Sequence, residues 1–97
     1  MQSYYRKAAT VVEAVQLTLE NLNEAAEILG KNDPRNVNYS FYLMNNGLKH
    51  PRVAIKLAFR NKNEILEEGD WIVRDSEGEL SFYTSESFLR QYVATPQ

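Results

Sequence analysis

With 97 residues, 43% of them hydrophobic, and a formal net charge of −2, the chain has room for one domain, residues 1–97, with one modest core. It contains no cysteine, which excludes a disulfide framework, a thiol nucleophile and thiolate metal sites. No apolar run approaches the roughly 18 residues that span a bilayer, and the polar start Met1 to Lys7 lacks the apolar core of a signal peptide, so a cytoplasmic location without membrane contact is expected.

The charge is unevenly spread. Residues 1–63 carry nine Lys/Arg against five Asp/Glu, whereas residues 64–97 carry two against eight. Such asymmetry either steers a partner or lets the two halves neutralise each other on folding.

In chain order, Thr10 to Leu17 is rich in β-branched residues and predicts a strand. Period-two counting puts Glu13 on the same face as Val11, Val15 and Leu17. A carboxylate in an apolar row is expected to be paired, with Arg6, Lys7 or a later Arg, or else to serve a function. Leu22, Ala25, Ala26 and Leu29 then recur at helical spacing. A helix is predicted from about residue 19 or 22 to 29, opened by Asn21 with Glu24 in a variant of the capping box and stopped by a left-handed Gly30.

Residues 31–38 are turn-forming throughout and predict a surface loop. Tyr39 to Met44 predicts a strand, Asn46-Gly47 a hairpin turn, and Arg52 to Arg60 the return strand. In that return strand Val53, Ile55, Leu57 and Phe59 face one way, with Arg52, Lys56 and Arg60 on the other beside Ala54 and Ala58. The three cations suit either an acidic partner or an ordinary solvated face that discourages edge aggregation. No aromatic interleaves them to stack bases, so direct nucleic-acid binding is not favoured.

Asn61-Lys62-Asn63 predicts a turn, with Ile65 and Leu66 adding a short apolar contact. Glu68-Gly69-Asp70 predicts a tight turn into Trp71-Ile72-Val73, the strand with the only Trp, expected to pack against the first strand and the helix. A second turn through Gly78 leads to Leu80–Tyr83. Thr84 or Ser85 is positioned to cap a short helical turn in which Phe88 and Tyr92, four apart, close over the sheet. The tail Ala94 to Gln97 is expected to fray. Together these elements predict an α+β fold: a small antiparallel sheet of about five strands, open or barrel-like, packed by one helix from the N-terminal half and finished by a C-terminal helical turn.

His50 is the only histidine and lies before Pro51, so a His pair for metal is excluded. No Gly-x-Ser-x-Gly elbow and no Gly-rich phosphate loop occurs. The expectation is therefore a non-enzymatic protein with no cofactor and no metal. Glu64, Glu67, Glu68, Asp70, Asp75, Glu77 and Glu79 form an acidic stretch without the spacing of a calcium loop. They are either solvated turn residues or an acidic surface that imitates phosphates toward a nucleic-acid-binding partner.

Tyr5-Arg6-Lys7, Val11-Val12-Glu13-Ala14-Val15-Gln16, Gly69-Asp70-Trp71-Ile72, Gly78-Glu79, Phe88 and Tyr92 together resemble a family of small bacteriophage and prophage proteins. Its members open with Tyr-Arg-Lys and a Val-Val-Glu-Ala-Val-Gln strand, and close with Pro-Gly-Asp-Trp-Ile and Gly-Glu before a Phe and a Tyr. They are accessory gene products, mostly of unassigned role. The chain departs from the pattern at Glu68, where members have Pro, and at Tyr83-Thr84, where many have Cys-Lys; residues 32–63 follow no such pattern.

The resemblance implies a phage or prophage accessory protein. Together with the absence of catalytic constellations and the opposed charge of the two halves, it leads to the expectation of a protein in the host bacterial cytoplasm that binds a host protein such as a CRISPR effector and so acts against host defence. It is expected as a monomer, or as a homodimer with the 39–60 hairpin offering an edge for pairing. The candidate partner-binding residues are Glu67, Glu68, Asp70, Asp75, Glu77 and Glu79, and Arg52, Lys56 and Arg60. Two alternatives remain: a small-ligand or nucleotide-binding module with Arg6, Glu13 and Trp71 lining a pocket, or a virion or replication accessory protein.

Overall fold

The structure, a computed structural model, describes residues 3–7, 10–30, 37–44, 52–59 and 62–94. They form ten elements: β1 (Ser3–Lys7), β2 (Thr10–Gln16), α1 (Leu22–Gly30), β3 (Val37–Met44), β4 (Arg52–Phe59), β5 (Lys62–Glu67), β6 (Trp71–Arg74), β7 (Leu80–Tyr83), α2 (Ser85–Gln91) and β8 (Val93–Ala94). The class is α+β, as expected, with a five-stranded antiparallel sheet in the order β7-β6-β2-β1-β8. Residues 37–67 add a second antiparallel sheet, β3-β4-β5. Among the described residues neither sheet closes into a barrel.

Alternation along β2 and β6 gives the first sheet two apolar faces. On one face Val15, Leu17, Ile72 and Leu80 pack with Ala25, Ile28 and Leu29 of α1 and with Val53, Ile55, Leu57 and Leu66 of the second sheet. This is the main core, and it explains why the clean period-two pattern of β4 reads as it does: the apolar side of β4 is pressed against the helix and the first sheet. On the other face Val12, Ala14, Trp71 and Val73 are covered by Phe88 and Tyr92. Trp71 therefore packs under α2, and only Ile72 reaches the α1 side, contrary to the expectation that Trp71 would meet the first helix.

Phe88 is the only buried residue of α2. Its ring stacks on Trp71 at 4.0 Å and 6°, and on Tyr92 at 4.9 Å and 15°. Thr84 caps the helix as predicted, its hydroxyl accepting from Ser87 N at 3.2 Å.

Several boundaries differ from the sequence reading. β1 and β5 are strands where a polar lead and a turn were expected, and the loop before β3 ends by Val37. Ala94 pairs with Tyr5 in β8. Gly30 ends α1 inside the helix and does not take positive φ; that conformation belongs to Gly69 and Gly78, at 101° and 84°. The described bonds of the Asn21 side chain run back to Thr18 N and Oγ1 at 2.8 and 2.9 Å, and to Gln16 O, so it closes the turn before α1. The Asn46-Gly47 turn and His50 lie outside the described residues.

Candidate interaction surface

The residues singled out by charge fall into three places. Glu13 sits directly opposite Arg74 in the β2–β6 register, and Arg74 Nη2 donates to Glu13 Oε1. Both side chains are 17% exposed, so this is a largely buried pair on the core side of the first sheet, the structural role predicted for Glu13 with a later Arg. Trp71 lies on the opposite face of that sheet. Glu13 and Trp71 thus do not line one pocket: the β2–β6 register sets them on opposite faces of the sheet, with Arg74 opposite Glu13, while the Arg6 side chain lies outside the described residues. A cavity of about 200 Å³ beside the pair is bordered by Val11, Asp75 and Ser76 instead.

The turn from β5 to β6 is where the two sheets are stitched together. Gly69 N donates to Leu17 O and Leu17 N to Asp70 O, each at 2.8 Å, which fixes the turn to the end of β2. Glu68 N donates to Val53 O at 2.9 Å, and Glu68 Oε1 accepts from Val53 N at 3.2 Å, which fixes the same turn to β4. Arg52 Nη2 adds a bond to Glu68 O at 3.0 Å. The positive φ of Gly69 is what this sharp passage between sheets requires.

Asp70 Oδ2 accepts from Glu67 N at 3.0 Å, and Asp75 Oδ1 accepts from the amides of Glu77 and Glu79, both at 2.9 Å. Glu68, Asp70 and Asp75 are thus engaged by the backbone as turn residues, and the acids divide between the two ends of β6. Glu67 and Glu77 are exposed; Glu64 and Glu79 are half-buried.

The third place is the outer face of the second sheet. Its rows run Ser40–Lys56–Ile65 and Tyr42–Ala54–Glu67, with Arg52 opposite Met44. Tyr42 is 38% and Ile65 61% exposed, and Lys56, Arg52 and Glu67 are exposed. Ala54 is buried, as a methyl on the central strand between two longer side chains must be. A shallow concavity of about 260 Å³ opens beside Lys56, between Ser40 and Asn63. Of the predicted cationic row, Arg52 and Lys56 lie here and Arg60 is outside the described residues. Tyr42 and Ile65 were not singled out from the sequence. The alternation of β3 held the signal for Tyr42, whereas Ile65, expected only as part of a short apolar contact after the Asn61–Asn63 turn, is placed on this face by the β4–β5 register.

On the α2 side, burial, the Tyr83–Tyr92 hydroxyl contact at 3.3 Å, and the charges of Tyr83 and Asp75 all hold the Tyr92 phenol well above its usual pKa. Among the described residues no group of three or more His, Asp or Glu is placed to hold a metal ion, and no helix is long and apolar enough to cross a membrane. No protein family, curated protein or solved structure matches the chain.

Proposed function

We infer that the chain is a non-enzymatic accessory protein of a phage or prophage that binds a host protein, with a bacterial defence effector such as a CRISPR effector as the partner class, and that the outer face of the second sheet is its working surface. The observation that carries this reading is the contrast between the sheets. The first is packed on both faces, by α1 and the second sheet on one side and by α2 on the other. Among the described residues the second is packed on one face only, and its outer face presents Tyr42 beside Ala54, between Arg52 and Lys56, and Ile65 opposite Lys56. An aromatic and an aliphatic group with two cations and Glu67 around them suit a protein surface whose apolar patch is bordered by charges, acids above all.

This surface also lies in residues 32–63 and just beyond, the part that departs from the phage-like pattern. A frame that follows a pattern, with a divergent insert, fits a fold kept for stability and a face turned to a particular partner.

The test is capture from host lysate with the tagged chain, together with a plasmid-challenge assay in cells that express it. The wild type is expected to retain one effector protein and to abolish interference, and Lys56→Glu with Ile65→Lys to lose both properties. Full interference in the presence of wild-type protein, with no partner retained, would defeat the proposal.

A further inference from the structure

We propose that β3 is a homodimerisation edge, at which two copies of the chain pair antiparallel about a two-fold axis centred on Phe41 and join their second sheets into one of six strands. The inference rests on the four sheet edges among the described residues. A free strand edge invites pairing, and proteins blunt it by shortness, charge or proline. In the first sheet the edge strands β7 and β8 have four and two residues. In the second, β5 carries Lys62, Glu64 and Glu67 within six residues. β3 runs for eight residues, about 26 Å, without a charge, a proline or a glycine. It alone is unguarded.

The exposure of β3 identifies the occupant. Tyr39, Phe41 and Leu43 share the core-facing side with Leu57, Ile55 and Val53, their partners on β4. Phe41 packs against the core, yet Tyr39 remains 37% and Leu43 59% exposed. These side chains belong to the apolar face but overhang it, because among the described residues no strand continues the sheet beyond them.

A two-fold axis that sets one strand edge to edge with its own copy stands perpendicular to the sheet, so both core-side faces end on the same side and residues pair with others of their own parity. Centred on Phe41, this puts Tyr39 opposite the second copy's Leu43, twice, with the two Phe41 residues between them. The result is a continuous apolar ladder from core to core. On the outer side Ser40 meets Tyr42 and Asn38 meets Met44, so no like charges oppose each other anywhere. A neutral edge that is self-complementary in register fits a second copy better than a charged host strand. The outer faces of both copies, each with its Lys56, then lie side by side.

Sedimentation equilibrium of the purified chain, with no host protein present, tests this independently of the proposed function. Twice the chain mass is expected, with amide exchange in β3 slowing as protein concentration rises. Tyr39→Lys with Leu43→Lys sets lysines against each other at both ends of the ladder and is expected to give monomer. Tyr39→Lys with Leu43→Glu sets each Lys against a Glu and is expected to restore the dimer. A wild type that stays monomeric up to its solubility limit overturns the proposal, including the case in which β3 captures an extended peptide from another protein. So does a dimer that survives the double-lysine change, or a Lys/Glu variant that folds by circular dichroism but does not associate.

Discussion

Replacing Phe88 by Ala removes the one side chain that fixes α2 to the sheet. The ring is fully buried, stacked between Trp71 and Tyr92, and meets Tyr83 edge-on at 6.4 Å. Truncating a buried Phe costs about 3 to 5 kcal/mol, and the stacked pairs place this site toward the upper part of that range, at ~4 kcal/mol. A domain of this size has only about 5 to 15 kcal/mol in total, so much of the stability goes. At about 4 to 8 °C per kcal/mol, the melting temperature should fall by roughly 20 °C. Because Trp71 is the only tryptophan, its emission reports on this contact directly, and loss of α2 should shift it to the red while the protein is still folded. Urea unfolding followed by fluorescence and by far-ultraviolet circular dichroism gives both quantities. Phe88→Leu, which keeps most of the volume, should lose only about 1 kcal/mol. If Phe88→Ala lost less than about 1 kcal/mol with unchanged Trp emission, α2 would not be the cover of this face and the reasoning would fail.

The Glu13–Arg74 pair should show strong coupling: Arg74→Met takes the opposing cation from a largely buried carboxylate and should cost about 2 to 4 kcal/mol, whereas Glu13→Leu with Arg74→Met should return close to wild type in a double-mutant cycle of urea stabilities. Because the folded Tyr92 phenol titrates above its unfolded value, its stabilising effect is complete below about pH 10 and is lost as pH rises from there toward the folded pKa. The urea midpoint should therefore fall on the alkaline side, and less steeply in Tyr92→Phe. Glu68→Pro removes the amide that donates to Val53 O and the carboxylate that accepts from Val53 N, and should cost about 2 to 3 kcal/mol, with hydrogen exchange rising in β3–β5 before β2 and β6; Glu68→Gln, which keeps both bonds, should exchange like wild type.

The elements best read from sequence are those whose pattern and packing agree. β4 shows its alternation because one side is core and the other is solvent. α1 shows helical spacing because one stripe meets both sheets, and α2 declares itself through Thr84 and the Phe88–Tyr92 spacing. The missed strands have other reasons to exist. β1 is held between β2 and β8, and β5 lies along β4, so cross-strand pairing rather than an apolar period makes them strands. Glu13 was legible as a paired carboxylate from its place in an apolar row, but Arg74 as a partner needed the β2–β6 register, which no local pattern encodes. The same limit applied to the acids, whose backbone bonds depend on turn geometry, and to the division of Trp71 and Ile72 between two cores. The outer face of the second sheet was half visible, as a row of cations. Of its apolar members, Tyr42 was implicit in the alternation of β3, and Ile65 was placed there only by the pairing of β5 with β4.

The stretch Glu68-Gly69-Asp70 unites these observations. Gly69 and Asp70 bond to Leu17 and so are fastened to the first sheet. Glu68 bonds twice to Val53 and so is fastened to the second. A proline at this position has no amide to donate and no carboxylate to accept, and could make neither bond. Glu68 therefore sits at the point where the second sheet is fastened to the first. The first sheet is held by its two cores and the second by the main core that both share, and Glu68 is the joint that ties the backbone of one to the other.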